Sequence, residues 1–137
     1  MGAPLNYDAA DGLGGQTPVS KATPLPVSQF PGTPWQYAGV TGGLVDTSDV
    51  AIKAAGAAGV VNYLVALQYQ NSDADPSEIV VKDGATVIWR GYAPGSMAYP
   101  ANVVFPLPLK GTAPTPLNVA MLTTATATVV SAQGYSL

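Results

Sequence analysis

Asp73, Asp75 and Glu78 stand within one short stretch with Pro76 and Ser77, the densest set of chemically capable side chains in the sequence. Carboxylates grouped this way are what a hard cation such as calcium takes as ligands. The spacing matches no EF-hand loop, since the turn glycine is missing and the closing glutamate comes too early. A solvated turn accounts for the cluster more simply, and Asp46 with Asp49 reads the same way. Two carboxylates across a cleft could hydrolyse a glycosidic bond, but eight acidic residues in 137 make some such pair inevitable. The chain has no histidine and no cysteine. That removes Ser-His-Asp and Cys-His nucleophiles, imidazole or thiolate metal sites, and disulfides. The expectation is a protein that is not an enzyme and needs no metal or cofactor.

Aromatic residues are the other candidates. Tyr63 and Tyr69 fall on the apolar side of an alternating segment and are expected in the core; Trp89, which shares parity with Val87, is expected in the core or packed on a sheet. Tyr92 and Tyr99 lie in the glycine- and proline-bearing stretch 91–101 and are expected to be exposed. They could pack a loop or touch another subunit, or they could contact a glycan.

What must hold these residues is a chain with little charge. It carries five cationic and eight acidic residues, 9% in all, where an ordinary soluble domain has about 25%. A compact monomer of 13.9 kDa exposes about 6,700 Å², so its charges would be thinly spread. The apolar runs, such as Leu64-Val65-Ala66-Leu67, are far shorter than the ~20 residues that span a bilayer. The composition therefore implies surface buried against other protein, in a homo-oligomer, with a trimer expected first and a dimer second. Lys21, Lys53, Lys82, Arg90 and Lys110 are scattered and the net charge is -3. Nucleic-acid binding, which rests on clustered cations, is not expected. Met1-Gly2-Ala3-Pro4 does not open a signal peptide, and Asn6 does not complete a myristoylation pattern. The reading is a chain made and kept in the cytoplasm until assembly or lysis.

The sequence divides in two. Residues 1–34 contain Pro4, Pro18, Pro24, Pro26, Pro31 and Pro34 with four glycines between them. Such a stretch cannot build a core, and Thr23-Pro24-Leu25-Pro26-Val27 should be extended. It is either a solvated tail or an arm that orders against a neighbour. Leu25, Val27, Phe30 and Trp35 favour the arm, because a purely solvating tail rarely keeps such residues.

From residue 35 to 137 the pattern is strand and turn. Strands are expected at 35–40 and 49–54, then a loop over Ala54 to Gly59. Val61, Tyr63, Val65, Leu67 and Tyr69 then alternate with Asn62, Leu64, Ala66, Gln68 and Gln70, the period of a long strand with one apolar face. Glu78 to Lys82 and Ala85 to Arg90 flank Asp83-Gly84, which reads as a two-residue type I′ hairpin turn. That register sets Lys82 against Ala85, Val80 against Val87 and Ile79 against Ile88. Further strands are expected at 102–105, 117–122 and 127–132, with Pro106, Pro108, Pro114 and Pro116 marking edges or crossings. About eight short strands predict an all-β fold. The fold class is an antiparallel β-sandwich, jelly-roll-like, preceded by an extended Pro/Gly-rich N-terminal arm.

Several segments resemble small virion proteins of tailed bacteriophages. They are Ala22 to Val27, Val60 to Asn71, Ile79-Val80-Val81-Lys82-Asp83-Gly84 with Val87-Ile88-Trp89-Arg90-Gly91-Tyr92, Phe105-Pro106-Leu107-Pro108-Leu109, and Ala132-Gln133-Gly134-Tyr135. The resemblance implies a head-decoration or cement protein, usually trimeric, that binds the major capsid protein on the outer surface of the capsid and clamps it with a terminal arm. Similar proteins belong to fibres or tails, so the alternative is an adsorption domain recognising a bacterial surface glycan through Tyr92 and Tyr99. No catalytic or ligand residue follows from the resemblance.

Overall fold

A computed structural model describes residues 6–8, 16–18, 30–40, 42–123 and 127–137. The strands are β1 (Asn6–Asp8), β2 (Gln16–Pro18), β3 (Thr33–Ala38), β4 (Val50–Lys53), β5 (Asn62–Asn71), β6 (Ser77–Asp83), β7 (Thr86–Ala93), β8 (Ala101–Lys110), β9 (Leu117–Met121) and β10 (Thr128–Ser136). β1 and β2 pair with each other. The other eight form two antiparallel sheets, ordered β3-β10-β5-β8 and β4-β9-β6-β7. Every connection from β3 to β10 crosses between these sheets except the β6–β7 hairpin. This is the double-sheet, eight-strand arrangement of a jelly roll, and the expected all-β sandwich is the fold.

The core lies between the two sheets. Leu64, Leu67 and Tyr69 of β5 and Val130 and Ala132 of β10 meet Ile79, Val81, Leu117, Val119 and Met121 from the opposite sheet. Trp35 belongs to this core and is only 9% exposed, so its indole is inside its own sandwich and is not offered to a neighbour. β3 begins at Thr33, so the sandwich starts inside the stretch read as arm. Leu25, Val27 and the whole of Thr23 to Val27 lie outside the described residues.

Two details of register differ from expectation. In β5 the inward residues are Asn62 and Leu64, then Leu67, Tyr69 and Asn71. The alternation changes phase between Leu64 and Leu67, where adjacent Gln133 and Gly134 of β10 pair with Ala66 and Leu64 and leave Val65 as an extra residue in β5. A bulge adds one residue and turns the rest of the strand over. Tyr63 and Val65, expected in the core, are therefore only half-buried, and Leu64 takes their place.

The β6–β7 hairpin exists, but its turn lies one residue later. Asp83 pairs with Thr86, leaving Gly84 and Ala85 as the loop. Gly84 has φ +58° and Ala85 is not among the positive-φ residues. A positive φ at the first loop residue alone is the pattern of a type II′ turn, which wants glycine there. Lys82 then faces Val87 and Val80 faces Arg90, with a register shift between Val81 and Lys82.

Pro106 and Pro108 mark an edge, as expected. β8 borders its sheet and continues through both prolines. Val104 pairs with Ala66 and Leu109 with Leu64, so Phe105, Pro106, Leu107 and Pro108 stand opposite Val65 alone. Proline cannot donate to a ladder, which confines it to an edge or a bulge; here it is in both.

A candidate docking face

Charge is divided unequally between the sheets. β3, β5, β8 and β10 carry one charged residue, Lys110. β4, β6, β7 and β9 carry Lys53, Glu78, Lys82, Asp83 and Arg90. Two ion pairs form on the charged side: Lys82 with Asp49 and Arg90 with Glu78, each at 2.6 Å.

The outer face of the neutral sheet is built row by row from strand register. Ala38, Ser131, Gln68 and Asn102 make one row across four strands. Gln36, Gln133, Ala66 and Val104 make the next. Each is two residues from its counterpart along its strand, so all share a face. Small residues at Ala38, Ala66 and Ser131 leave a trough of about 340 Å³ between the longer amides. Gln68 Nε2 donates to Asn102 Oδ1 at 2.6 Å. A smaller hollow of about 100 Å³ continues past Gln70, Pro100 and Val129.

At the other end the face is closed by aromatic rings. Tyr63 and Tyr135 stack with centroids 4.8 Å apart, and Phe30 stacks on Tyr135 at 5.9 Å. Phe30, expected as an arm contact, is thus laid on its own chain where the arm enters the fold. Gly134, beside this stack, leaves room for the Trp35 ring of the core. A Cβ there would collide with the Tyr63 carbonyl oxygen and the Trp35 ring.

The ends of β5 are fixed by two buried asparagines. Asn62 Nδ2 donates to the Ala54 carbonyl at 3.0 Å, and its Oδ1 accepts from Ser136 Oγ at 2.7 Å. Asn71 Nδ2 donates to the Asp75 carbonyl at 2.8 Å, and its Oδ1 accepts the Asp73 N–H at 3.0 Å. They bind the loops at either end of the neutral face to its central strand.

The acidic cluster is used for turn-making and pairing. Asp73 Oδ1 accepts the Asp75 N–H at 3.0 Å, and Glu78 Oε1 accepts from Arg90 Nη1 at 2.6 Å. Asp46 Oδ1 accepts the Ser48 N–H at 2.8 Å, and hydrogen bonds from Ser48 hold its carboxyl below the usual value. Asp49 is committed to Lys82. Among the described residues no three acidic side chains converge as a metal site.

Tyr92 and Tyr99 are exposed, at 61% and 82%. Tyr92 is at the end of β7, and Tyr99 lies in the turn that follows. That turn is tied down, since Ser96 N–H donates to the Asp73 carbonyl and Met97 N–H to that of Asn71. Tyr69 is in the core, and its hydroxyl donates to the Tyr92 carbonyl at 3.1 Å. Burial pushes its phenol above the ordinary value. Trp89 is half-buried, edge-on to Phe105 at 5.9 Å.

The amide rows were not among the residues that sequence reasoning singled out. Gln68 and Gln70 alternating with Leu67 and Tyr69 gave the only signal. Their neighbours Gln36, Asn102 and Gln133 come from strands brought alongside by crossings. No protein-family model, curated protein or solved structure matches the chain.

Proposed function

We propose that the chain is a structural protein of a bacteriophage virion: a decoration or cement protein that binds the assembled head from outside and stabilises it. Its partners are the major capsid protein and copies of itself. The observation that carries this reading is the neutral outer face of β3, β10, β5 and β8. It exposes amides, small residues and Val104, and its four strands carry a single charged residue, Lys110. Charged residues are depleted where protein surfaces meet, and this face has the composition of one that is covered in use. The jelly roll serves viral shells as well as lectins. That is analogy at the level of fold, and it agrees with the resemblance carried by the segments named above.

The mechanism is mass action. A protein that binds the assembled shell and not its separated subunits stabilises the shell by RT ln(1 + [L]/Kd) at each site. Adding the purified full chain to particles that lack it tests this. It should co-sediment with heads, saturate, and raise the temperature at which they open. Particles that neither bind it nor gain stability would refute the reading.

A second reading has its own observation. The exposed rings of Tyr92 and Tyr99 suit stacking on sugars in an adsorption domain. Tyr92→Ala and Tyr99→Ala should leave head binding unchanged under the first reading and abolish attachment to host cells under the second.

A further inference from the structure

We propose that a second copy of this chain docks on the neutral face, with the Pro106-Leu107-Pro108 bulge of each copy seated in the amide trough of the other. The inference rests on reading the chain as an assembly subunit, and it specifies the contact that subunit makes with itself.

The bulge is the most exposed apolar feature of the sandwich. Leu107 is 84% exposed, the highest value among the large apolar side chains described. It projects where four residues of β8 face one of β5. Phe105 to Pro108 have four backbone carbonyls but only two N–H groups, because neither proline has one. The bulge therefore presents a surplus of hydrogen-bond acceptors around an apolar tip.

The trough presents the complement. The side chains of Gln36, Gln133 and Ser131 have no hydrogen-bond partner among the described residues, and that of Asn102 uses only its carbonyl oxygen, on Gln68. Side-chain amides supply two donors each, which suits proline-flanked carbonyls. Ala38, Ala66 and Val104 give an apolar surface for a leucine. Neither the trough lining nor the 106–108 tip carries a charge, so no charge of theirs is stripped of water on docking.

Trough and bulge adjoin on one strand, since Val104 lines the first and Phe105 begins the second. A patch holding both a projection and its receptacle complements itself, as a contact about a twofold axis requires. This favours a dimer as the elementary unit over the trimer expected from composition and the resemblance.

The test uses the full chain, which has no cysteine of its own. Sedimentation velocity at micromolar concentration should give an oligomer. Leu107→Asp, at an exposed position, should reduce it to the 13.9 kDa monomer that still unfolds cooperatively, with a melting midpoint that no longer rises with protein concentration. Leu107→Cys combined with Gln133→Cys should form interchain disulfides on mild oxidation. Thr86→Cys with Tyr92→Cys, on the charged sheet, should not. A monomeric wild-type chain would overturn the proposal, as would an oligomer indifferent to Leu107→Asp. Loss of head binding by Leu107→Asp with the oligomer intact would also overturn it, assigning the bulge to the shell. A wild-type monomer that still decorates heads would defeat this inference and leave the proposed function standing.

Discussion

The rings of Tyr63 and Tyr135 lie 4.8 Å apart and 13° from parallel on the outside of the sandwich. They come from adjacent strands at paired positions. Tyr63 is on this outer face because the β5 bulge reverses the alternation, and the stack closes one end of the neutral face.

The hairpin offers a local test of the backbone. Gly84→Val should cost more than ~1 kcal/mol, since a β-branched residue resists positive φ. The new side chain also meets Thr115 Cγ2, only 2.8 Å from where its Cβ would stand. Denaturant unfolding is the measurement, and an unchanged midpoint would argue against the Gly84-Ala85 turn.

Asn62 is 1% exposed and ties Ala54 and Ser136 to the start of β5. Asn62→Ala should destabilise by about 1–3 kcal/mol, the range for leaving buried partners unsatisfied. Amide exchange should quicken first in the 54–61 loop and the C-terminal residues. Uniform quickening would mean that Asn62 does not join them.

Tyr69 predicts a pH dependence. Its folded pKa is raised by burial above the ordinary 10.0, so the neutral phenol is favoured by folding. The stability this contributes is fully present below pH 10.0 and is lost as pH rises through the higher folded value. Tyr69→Phe should flatten the alkaline fall in melting temperature. At neutral pH it should cost ~1 kcal/mol for the hydrogen bond to Tyr92. An unaltered alkaline limb would assign that fall to another group.

Much of the fold is legible in the sequence because its signals are local. Glycine beside the β6–β7 turn, alternation through Leu67 and Tyr69, and prolines on the β8 edge each act over a few residues. What escapes local reading depends on pairing. The turn shift by one residue and the phase change at Leu64 are properties of ladders. β10 runs past Ala132 to Ser136 although Gly134 resembles a strand end, because that glycine is needed beneath Trp35. The neutral face was invisible for the same reason. Gln36, Gln68, Asn102 and Gln133 look like unrelated polar positions until crossings set their strands side by side. The exposure of Tyr99 was legible, since proline and glycine around it deny a regular strand; Tyr92 is exposed too, but within β7, paired with Glu78.

The proposed virion role is tested most directly by labelling the protein on purified phage particles and imaging them by electron microscopy. The account predicts label distributed over the outer surface of the head. Label confined to the tail or its fibres, or a head surface free of label, would contradict it.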